Sequence, residues 1–233
     1  KKVSSKSLFD TLATLAWKRG DPGVVFIDRL QESNPTPQLG IIESTSPCAE
    51  QPLLPFEGCV LGSINLTKFV TEVPSADLYN KPEDRIDWPK LKKTVHTAIH
   101  FLDNAIDVNQ FTSTKMKEAT LQTRKIGLGI MGFADLLFSL DLPYNSDEAV
   151  ALGGNLMKFI RTESRAASTK LAGQRGVFPA WAESRFGKPP EGSEKIKLRN
   201  ATLTCVSPTG SISIIAGVSS SLEPNFALCY QTK

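Results

Sequence analysis

The chain has 233 residues, of which 40% are hydrophobic and 22% are charged, and it carries a formal net charge of +3. This length can bury a sizeable core as one α/β domain or as part of a larger one. The small net charge argues against a nucleic-acid-binding surface, and no apolar run approaches the roughly 20 residues that span a bilayer. Four cysteines without a recognisable secretory leader predict reduced or redox-active thiols in the cytoplasm.

Apolar periodicity predicts regular elements in the first third of the chain. A stripe at 5–19, closed by Gly20, is typical of a helix. The apolar run at 24–27 is of strand type, and 60–66 predicts a buried strand. A polar connection without periodicity follows at 72–87. Helix and strand signals therefore occur together, as an α/β fold requires.

A long helix is predicted over about 87–107, with Asp87 as its N-cap and Pro89 in its first turn. His96 and His100 lie four residues apart on this helix, so both could reach one metal ion. No cysteine or carboxylate cluster accompanies them at zinc spacing. We therefore predict no metal site.

Residues 127–132, Gly-Leu-Gly-Ile-Met-Gly, match the G-x-G-x-x-G pattern of dinucleotide-binding folds. Such folds need an apolar strand running into the first glycine, and only Ile126 is apolar there. Asp147, twenty residues after the first glycine, begins a helical pattern and does not end a second strand. We therefore interpret the motif as a close strand-to-helix packing turn and exclude a nicotinamide site.

The last part of the chain predicts a helix, a strand and a turn. A capped helix runs from about 145 to 174, and a strand-like segment covers 201–206. The small-residue turn at 207–213 leads into another helix. Backbone donors and hydroxyl groups at such a position suit either a phosphate or a simple helix cap, and both interpretations stay open.

The rest of the chain is organised around residues 44–66, in which Cys48 and Cys59 stand eleven residues apart and Glu50 follows the first cysteine by two. Three prolines in this stretch exclude a helix. If the segment at Cys48 is extended, Cys48 and Glu50 project to one face, so a thiol and a carboxylate share one space. The alternative is that Cys48 is a small buried hydrophobe.

Several ordered blocks together resemble the large, catalytic subunit of ribonucleotide reductases. They are Ser-Pro-Cys-Ala-Glu-Gln-Pro-Leu-Leu-Pro at 46–55, Gly-Cys-Val-Leu-Gly-Ser-Ile-Asn-Leu at 58–66, and the stretches 101–109, 124–133, 199–201 and 223–228. The sequences of these blocks are most similar to those of the adenosylcobalamin-dependent class. The resemblance implies an α/β fold in which residues 1–233 are a partial catalytic domain of a ten-stranded α/β barrel.

The resemblance also implies roles for individual residues. Cys48 would form the thiyl radical that abstracts the ribose 3′ hydrogen, and Glu50 would take the 3′-hydroxyl proton. Cys59 would be one of two thiols that deliver the reducing electrons and end as a disulfide. The residues implied to hold the substrate phosphates are Thr209, Gly210, Ser211 and Ile212.

The resemblance further implies the cofactor and the partners. The protein would reduce ribonucleotides for DNA synthesis with adenosylcobalamin, and a thioredoxin-like reductant would re-reduce its disulfide. Other partners would be the remainder of the reductase chain and a second copy of the complete protein, with no direct nucleic-acid or membrane contact. The first thiol of the redox pair would lie upstream of Lys1, while Cys205 and Cys229 are interpreted as buried structural thiols.

Two alternatives remain at this point. One is a class I large subunit, which would receive its radical from a separate subunit. The Cys48–Cys59 spacing and the Pro-rich sequence at 51–55 favour the cobalamin class over it. A non-catalytic remnant or assembly module is suggested by Ser46. The family usually has Asn at this position, and serine cannot reproduce both contacts of an amide side chain.

Overall fold

The computed structural model describes residues 2–71 and 81–227, and the chain divides after Ser33 into two compact units. The first unit holds α1 (Ser5–Arg19) and α2 (Ile27–Glu32). Gly20 ends α1 in the left-handed conformation, with its N–H donating to the Ala16 carbonyl, which confirms the predicted helix and its end. The predicted strand at 24–27 is wrong, because Ile27 begins α2 and 21–26 has no regular structure.

The second unit holds the other elements. Its strands are β1 (Ser44–Thr45), β2 (Pro52–Leu53), β3 (Val60–Asn65) and β4 (Ile126–Met131). Its helices are α3 (Trp88–Val108), α4 (Thr114–Thr123), α5 (Phe133–Ser139), α6 (Asp147–Arg175) and α7 (Gly210–Ala216). Short 3₁₀ turns lie at Pro37–Leu39, Leu66–Phe69, Pro82–Arg85 and Pro179–Glu183.

A parallel pairing of β3 with β4 forms the centre of this unit. The register runs from Val60 opposite Ile126 to Asn65 opposite Met131. On its other side, β4 bonds to the segment at 201–206, which confirms the strand-like character predicted there. Cys205 donates its N–H to the Leu128 carbonyl at 3.2 Å. β4 therefore lies between two parallel neighbours.

The core lies where α3 and α6 cover this small sheet. The predicted long helix is confirmed as α3, and the Asp87 side chain caps it by accepting the Lys90 N–H at 2.9 Å. One stripe of α3 is fully buried and consists of Leu91, Val95, Ile99, Leu102 and Ile106. It packs with apolar side chains of β3, β4 and α6 in one cluster.

The glycine motif at 127–132 is not only a turn, as the sequence suggested, but the strand β4 itself. Residues 126–130 are all buried, and the turn into α5 is made by Gly132 alone, at φ 76°. The helix predicted from about 145 to 174 is confirmed as α6, capped by Ser146 and ended at Gly176. The predicted turn at 207–213 leads into α7, as expected.

The described residues have a mixed helix-and-sheet fold and contain two two-stranded sheets but no closed barrel. No helix in this part of the chain is long and apolar enough to cross a membrane. The two histidines of α3 have different partners, because His96 contacts Glu163 and His100 contacts Arg175. Within 2–71 and 81–227, no group of three or more His, Cys, Asp or Glu side chains could hold a metal ion.

Candidate active site

Cys48 lies in the turn of a small hairpin formed by β1 and β2. The turn closes because Ser46 and Gln51 exchange hydrogen bonds: the Ser46 N–H donates to the Gln51 carbonyl at 2.9 Å, and the Gln51 N–H donates to Ser46 Oγ at 3.0 Å. Ala49 has φ 64°, so the chain between Cys48 and Glu50 is not extended. The premise that strand alternation brings these two side chains to one face is therefore wrong.

The thiol and the carboxylate of this turn have different environments. Cys48 is exposed at the tip of the hairpin. Glu50 is half-buried, and its Oε2 is inaccessible to solvent and accepts no hydrogen bond from any described residue. Burial without a donor is costly for a carboxylate oxygen, so Glu50 Oε2 is a hydrogen-bond acceptor that the described residues leave unused.

Cys59 lies directly before β3, within electrostatic range of Glu50. Burial and then the Glu50 carboxylate raise the pKa of the Cys59 thiol to about 11, whereas Lys125 lowers this pKa and Glu57 raises it. Lys125, which precedes β4 and pairs with the start of β3, donates to the Pro52 carbonyl at 3.0 Å, so the Cys59 end of β3 lies near the base of the hairpin. At neutral pH Cys59 is therefore a protonated, half-buried thiol.

Cys205 is a second buried thiol on this face of the sheet. Burial and then Cys59 and Glu50 raise its pKa to about 11, while a hydrogen bond from the Gln51 side chain lowers it. The backbone of β4 runs between Cys59 and Cys205, and two strand spacings amount to about 9–10 Å. Disulfide-bonded cysteines have Cα atoms within about 7 Å, so Cys205 is not placed to pair with Cys59.

Two glycines of β4, Gly127 and Gly129, leave space for the side chains that pack over this strand. A Cβ atom on Gly127 would lie 2.6 Å from Cys205 Sγ and 2.8 Å from Gln51 Nε2, so only glycine leaves room for both. Further along the strand, Gly129 lies beneath Ser63 and Ser207. The surface therefore continues from the hairpin towards the turn at 207–213.

The predicted phosphate-binding residues lie at the start of α7. Thr209 is buried in the left-handed conformation, at φ 56°, and its Oγ1 accepts the Ser221 N–H at 2.8 Å. Gly210, Ser211 and Ile212 are exposed. The hydroxyl of Thr209 thus has a partner within the fold, while its hydrogen is still available for donation.

Several residues of the site were not found from the sequence. They are Gln51, Glu57, Ser63, Lys125, Gly127, Gly129 and Ser207. One available signal was the spacing of Gly127 and Gly129 within an apolar stretch, because glycines two residues apart leave one face of a strand without side chains. Nothing in the sequence pairs Glu57 with Lys125, because 68 residues separate them.

Comparison with known proteins gives a consistent family. The sequence model described as "Ribonucleotide reductase, barrel domain" matches residues 1–233. A vitamin B12-dependent ribonucleoside-diphosphate reductase of Thermoplasma acidophilum is 50% identical over 230 residues, which are 99% of this chain and 28% of the relative. A protein of the same description from Mycobacterium tuberculosis is 43% identical over 229 residues, 98% of this chain and 31% of the relative.

A more distant relative has a different description. The ribonucleoside-diphosphate reductase subunit alpha of Chlamydia pneumoniae is 29% identical over 262 aligned positions, covering 97% of this chain and 24% of the relative. The chain thus spans 24–31% of the length of these curated relatives. The match of the family model over every residue shows that the chain belongs to the ribonucleotide reductase family, within its barrel domain.

Proposed function

We propose that residues 1–233 are a partial catalytic domain of an adenosylcobalamin-dependent ribonucleotide reductase and work within a complete ten-stranded α/β barrel. The observation that carries the proposal is the grouping of the Cys48 hairpin, Glu50 and Cys59 at the start of β3 and β4, where Gln51 Nε2 lies over Gly127 and Lys125 donates to the Pro52 carbonyl. The substrate would be a ribonucleoside diphosphate, by analogy with the two relatives at 43–50% identity.

The reaction converts one ribonucleotide and two thiols into a 2′-deoxyribonucleotide, water and a disulfide. Cys48, as a thiyl radical, removes the 3′ hydrogen and returns it at the end of the cycle. Glu50 accepts the 3′-hydroxyl proton, which suits a carboxylate oxygen that is buried and lacks a donor. The 2′-hydroxyl leaves as water after protonation. Cys59 and a second thiol outside residues 1–233 supply the two electrons and the two protons.

The position of Cys48 fits a large cofactor. The thiol is exposed at the tip of a hairpin, so a bulky group can approach it from the open side. Adenosylcobalamin, when bound, would supply the one-electron oxidation that the Cys48 thiol requires. Ser46 and Gln51 keep the tip in place through their paired hydrogen bonds.

The start of α7 would hold the substrate phosphates. Exposed backbone N–H groups at 210–212 and the hydroxyls of Thr209 and Ser211 are the available donors. Gly129, Ser63 and Ser207 lie between this turn and the hairpin, and a Cβ on Gly129 would lie 3.4 Å from Ser63 Oγ. A nucleotide lying along this face would place its ribose near Glu50.

Two other functions are less well supported. A class I large subunit is less well supported because two B12-dependent relatives are 43–50% identical to this chain, whereas the subunit alpha of Chlamydia pneumoniae is 29% identical, which is close to the 25–27% of more distant B12-dependent relatives. A non-catalytic module is suggested by Ser46. Its hydroxyl, however, accepts the Gln51 N–H and therefore maintains the turn that carries Cys48.

The test is deoxynucleotide formation by the full-length protein with adenosylcobalamin, a ribonucleoside diphosphate and dithiothreitol. We expect multiple turnovers, none in Cys48→Ser, and at most one in Cys59→Ser. Cys205→Ser should retain multiple turnovers, because that thiol is not placed to pair with Cys59. Residues 1–233 alone should be inactive, since the second reducing thiol is outside them. Activity with a radical-generating protein subunit and without adenosylcobalamin would overturn the proposal in favour of class I.

A further inference from the structure

A buried ion pair lies at the base of the loop that leads to Cys59. Lys125 Nζ donates to Glu57 Oε2 at 2.7 Å, and the two side chains are 1% and 0% exposed. Glu57 precedes Cys59 by two residues. Lys125 lies beside Cys59, because β3 and β4 pair from Val60 opposite Ile126.

The pair ties the loop to the beginning of β4 at several points. Lys125 Nζ also donates to the Pro52 carbonyl at 3.0 Å, at the end of the hairpin. Glu57 Oε2 accepts the Leu54 N–H at 2.8 Å, and Glu57 Oε1 accepts the hydroxyl of Thr123. Both ends of the loop are thus held by residues of the short segment 123–125, which joins α4 to β4.

Stability alone is a weak reason for such a pair. Removing two charges from water costs several kcal/mol per ion, by order of magnitude, and apolar replacements of buried pairs are often neutral. The charged groups that act on the Cys59 thiol are Glu50 from the hairpin, Glu57 from the loop and Lys125 before β4, and Cys59 itself acts on Cys205 from the segment at 201–206. Lys125 is the only cation among these described groups.

We propose that the Glu57–Lys125 pair is a positioning device that fixes the charges beside the Cys59 thiol, with the cation of Lys125 opposing the carboxylates of Glu50 and Glu57. The inference rests on the proposed role of Cys59 as a reducing thiol. A thiol that gives up hydrogen must stay protonated until it reacts. Glu50 and Glu57 both favour the protonated thiol, and the cation of Lys125 compensates the second carboxylate, so that Glu57 can hold the loop without adding an unpaired negative charge beside Cys59.

The two partners have opposite effects on Cys59, and this allows a test. Lys125 lowers the pKa of the Cys59 thiol, whereas Glu57 raises it. Lys125→Met should therefore raise this pKa, and Glu57→Gln should lower it. A role limited to packing predicts a different result, because loosening the loop exposes the thiol and accelerates its reaction in both variants.

The experiment is iodoacetamide alkylation of the full-length protein between pH 7 and pH 10, followed at the Cys59 peptide by mass spectrometry. A change of about one pKa unit alters the alkylation rate at pH 8 by roughly three- to tenfold. We expect Lys125→Met to react more slowly than the native protein and Glu57→Gln to react faster. Lys125→Arg, which keeps the charge, should restore the native profile.

Two further variants keep the test decisive. The double variant Glu57→Gln/Lys125→Met buries no unpaired charge and should react at a rate between those of the single variants. Glu163→Gln removes a largely buried carboxylate of α6 that pairs with Lys92 and His96 and does not act on Cys59, and it should leave the Cys59 profile unchanged. Shifts of the same sign in both single variants, or a double variant outside their range, would overturn the inference. The alkylation needs no substrate, so it is independent of the turnover assay that tests the proposed function.

Discussion

Substituting Gly127 by alanine should disturb the site through a single methyl group. A Cβ at this position lies 2.6 Å from Cys205 Sγ, 2.6 Å from Leu61 Cδ2 and 2.8 Å from Gln51 Nε2. Carbon atoms in packed cores approach to about 3.5–4.0 Å, so all three neighbours must move by roughly 1 Å. Gln51 is 2% exposed and its backbone closes the Cys48 turn, so its displacement is passed on to the hairpin.

The expected cost follows from two opposing effects. Inserting a methyl group into a packed core costs about 1–3 kcal/mol. Replacing glycine by alanine gains about 0.4–1 kcal/mol by restricting the unfolded chain. We therefore expect Gly127→Ala to lower the free energy of unfolding by about 1–2 kcal/mol. The rate of deoxynucleotide formation should fall by more than this destabilisation explains, because the hairpin is moved.

The assay compares urea unfolding and turnover of the full-length variants. Gly154→Ala is a matched control, since Gly154 lies within α6 and a Cβ there meets nothing within 4 Å. It should stabilise the protein by about 0.5–1 kcal/mol and leave turnover unchanged. Adding Cys205→Ala to Gly127→Ala removes one of the three close contacts and should recover part of the loss. A Gly127→Ala protein with native stability and turnover would refute the reasoning.

Three further predictions concern charged groups and thiols. Asp103→Ala should destabilise the protein by about 3–5 kcal/mol in urea unfolding, because it removes a fully buried acceptor of Arg124, and a native-like midpoint would contradict this. The hydrogen bond from Arg124 holds the pKa of Asp107 below its ordinary value of 3.8. The ionised Asp107 therefore stabilises the folded protein fully above pH 3.8, and this stabilisation is lost as the pH falls through the lowered pKa of the folded state. Asp107→Asn should accordingly flatten the acid side of a curve of unfolding free energy against pH. Iodoacetamide at pH 8 should label the exposed Cys48 before Cys59. With a pKa of about 11, only about 0.1% of Cys59 is thiolate at this pH. Peptide mapping that finds the reverse order would contradict the structure.

Elements with a strong apolar stripe and a cap could be predicted from the sequence. The helix α3 has both, because Asp87 caps it and its buried residues recur at helical spacing. The strand β4 was missed because glycine has low strand propensity, and burial between two neighbouring strands decided its conformation. The run at 24–27 has strand composition, yet Ile27 begins a helix, which shows how weakly a four-residue run specifies its structure.

The chemistry of the site was easier to predict than its geometry. The residue types at Cys48, Glu50 and Cys59 indicated thiol and carboxylate chemistry, and Glu50 does act on the Cys59 thiol. The orientation of Cys48 could not be derived, because it depends on the positive φ of Ala49, a non-glycine residue in a conformation that sequence rarely signals. Long-range contacts such as Glu57 with Lys125 leave no local pattern at all.

The separation between Glu57 and Lys125 along the chain has a consequence for synthesis on the ribosome. The hairpin turn at Ser46 and Gln51 closes over five residues, and local hairpins form in about 1–10 μs. Cys59 obtains its neighbour Lys125 only after the 66 residues between 59 and 125 have been translated, which takes roughly 3–13 s at 5–20 residues per second. During that interval the Cys59 thiol of a nascent chain is open to oxidants, whereas it is half-buried after folding, so we expect oxidative stress to modify Cys59 more in newly made protein than in folded protein.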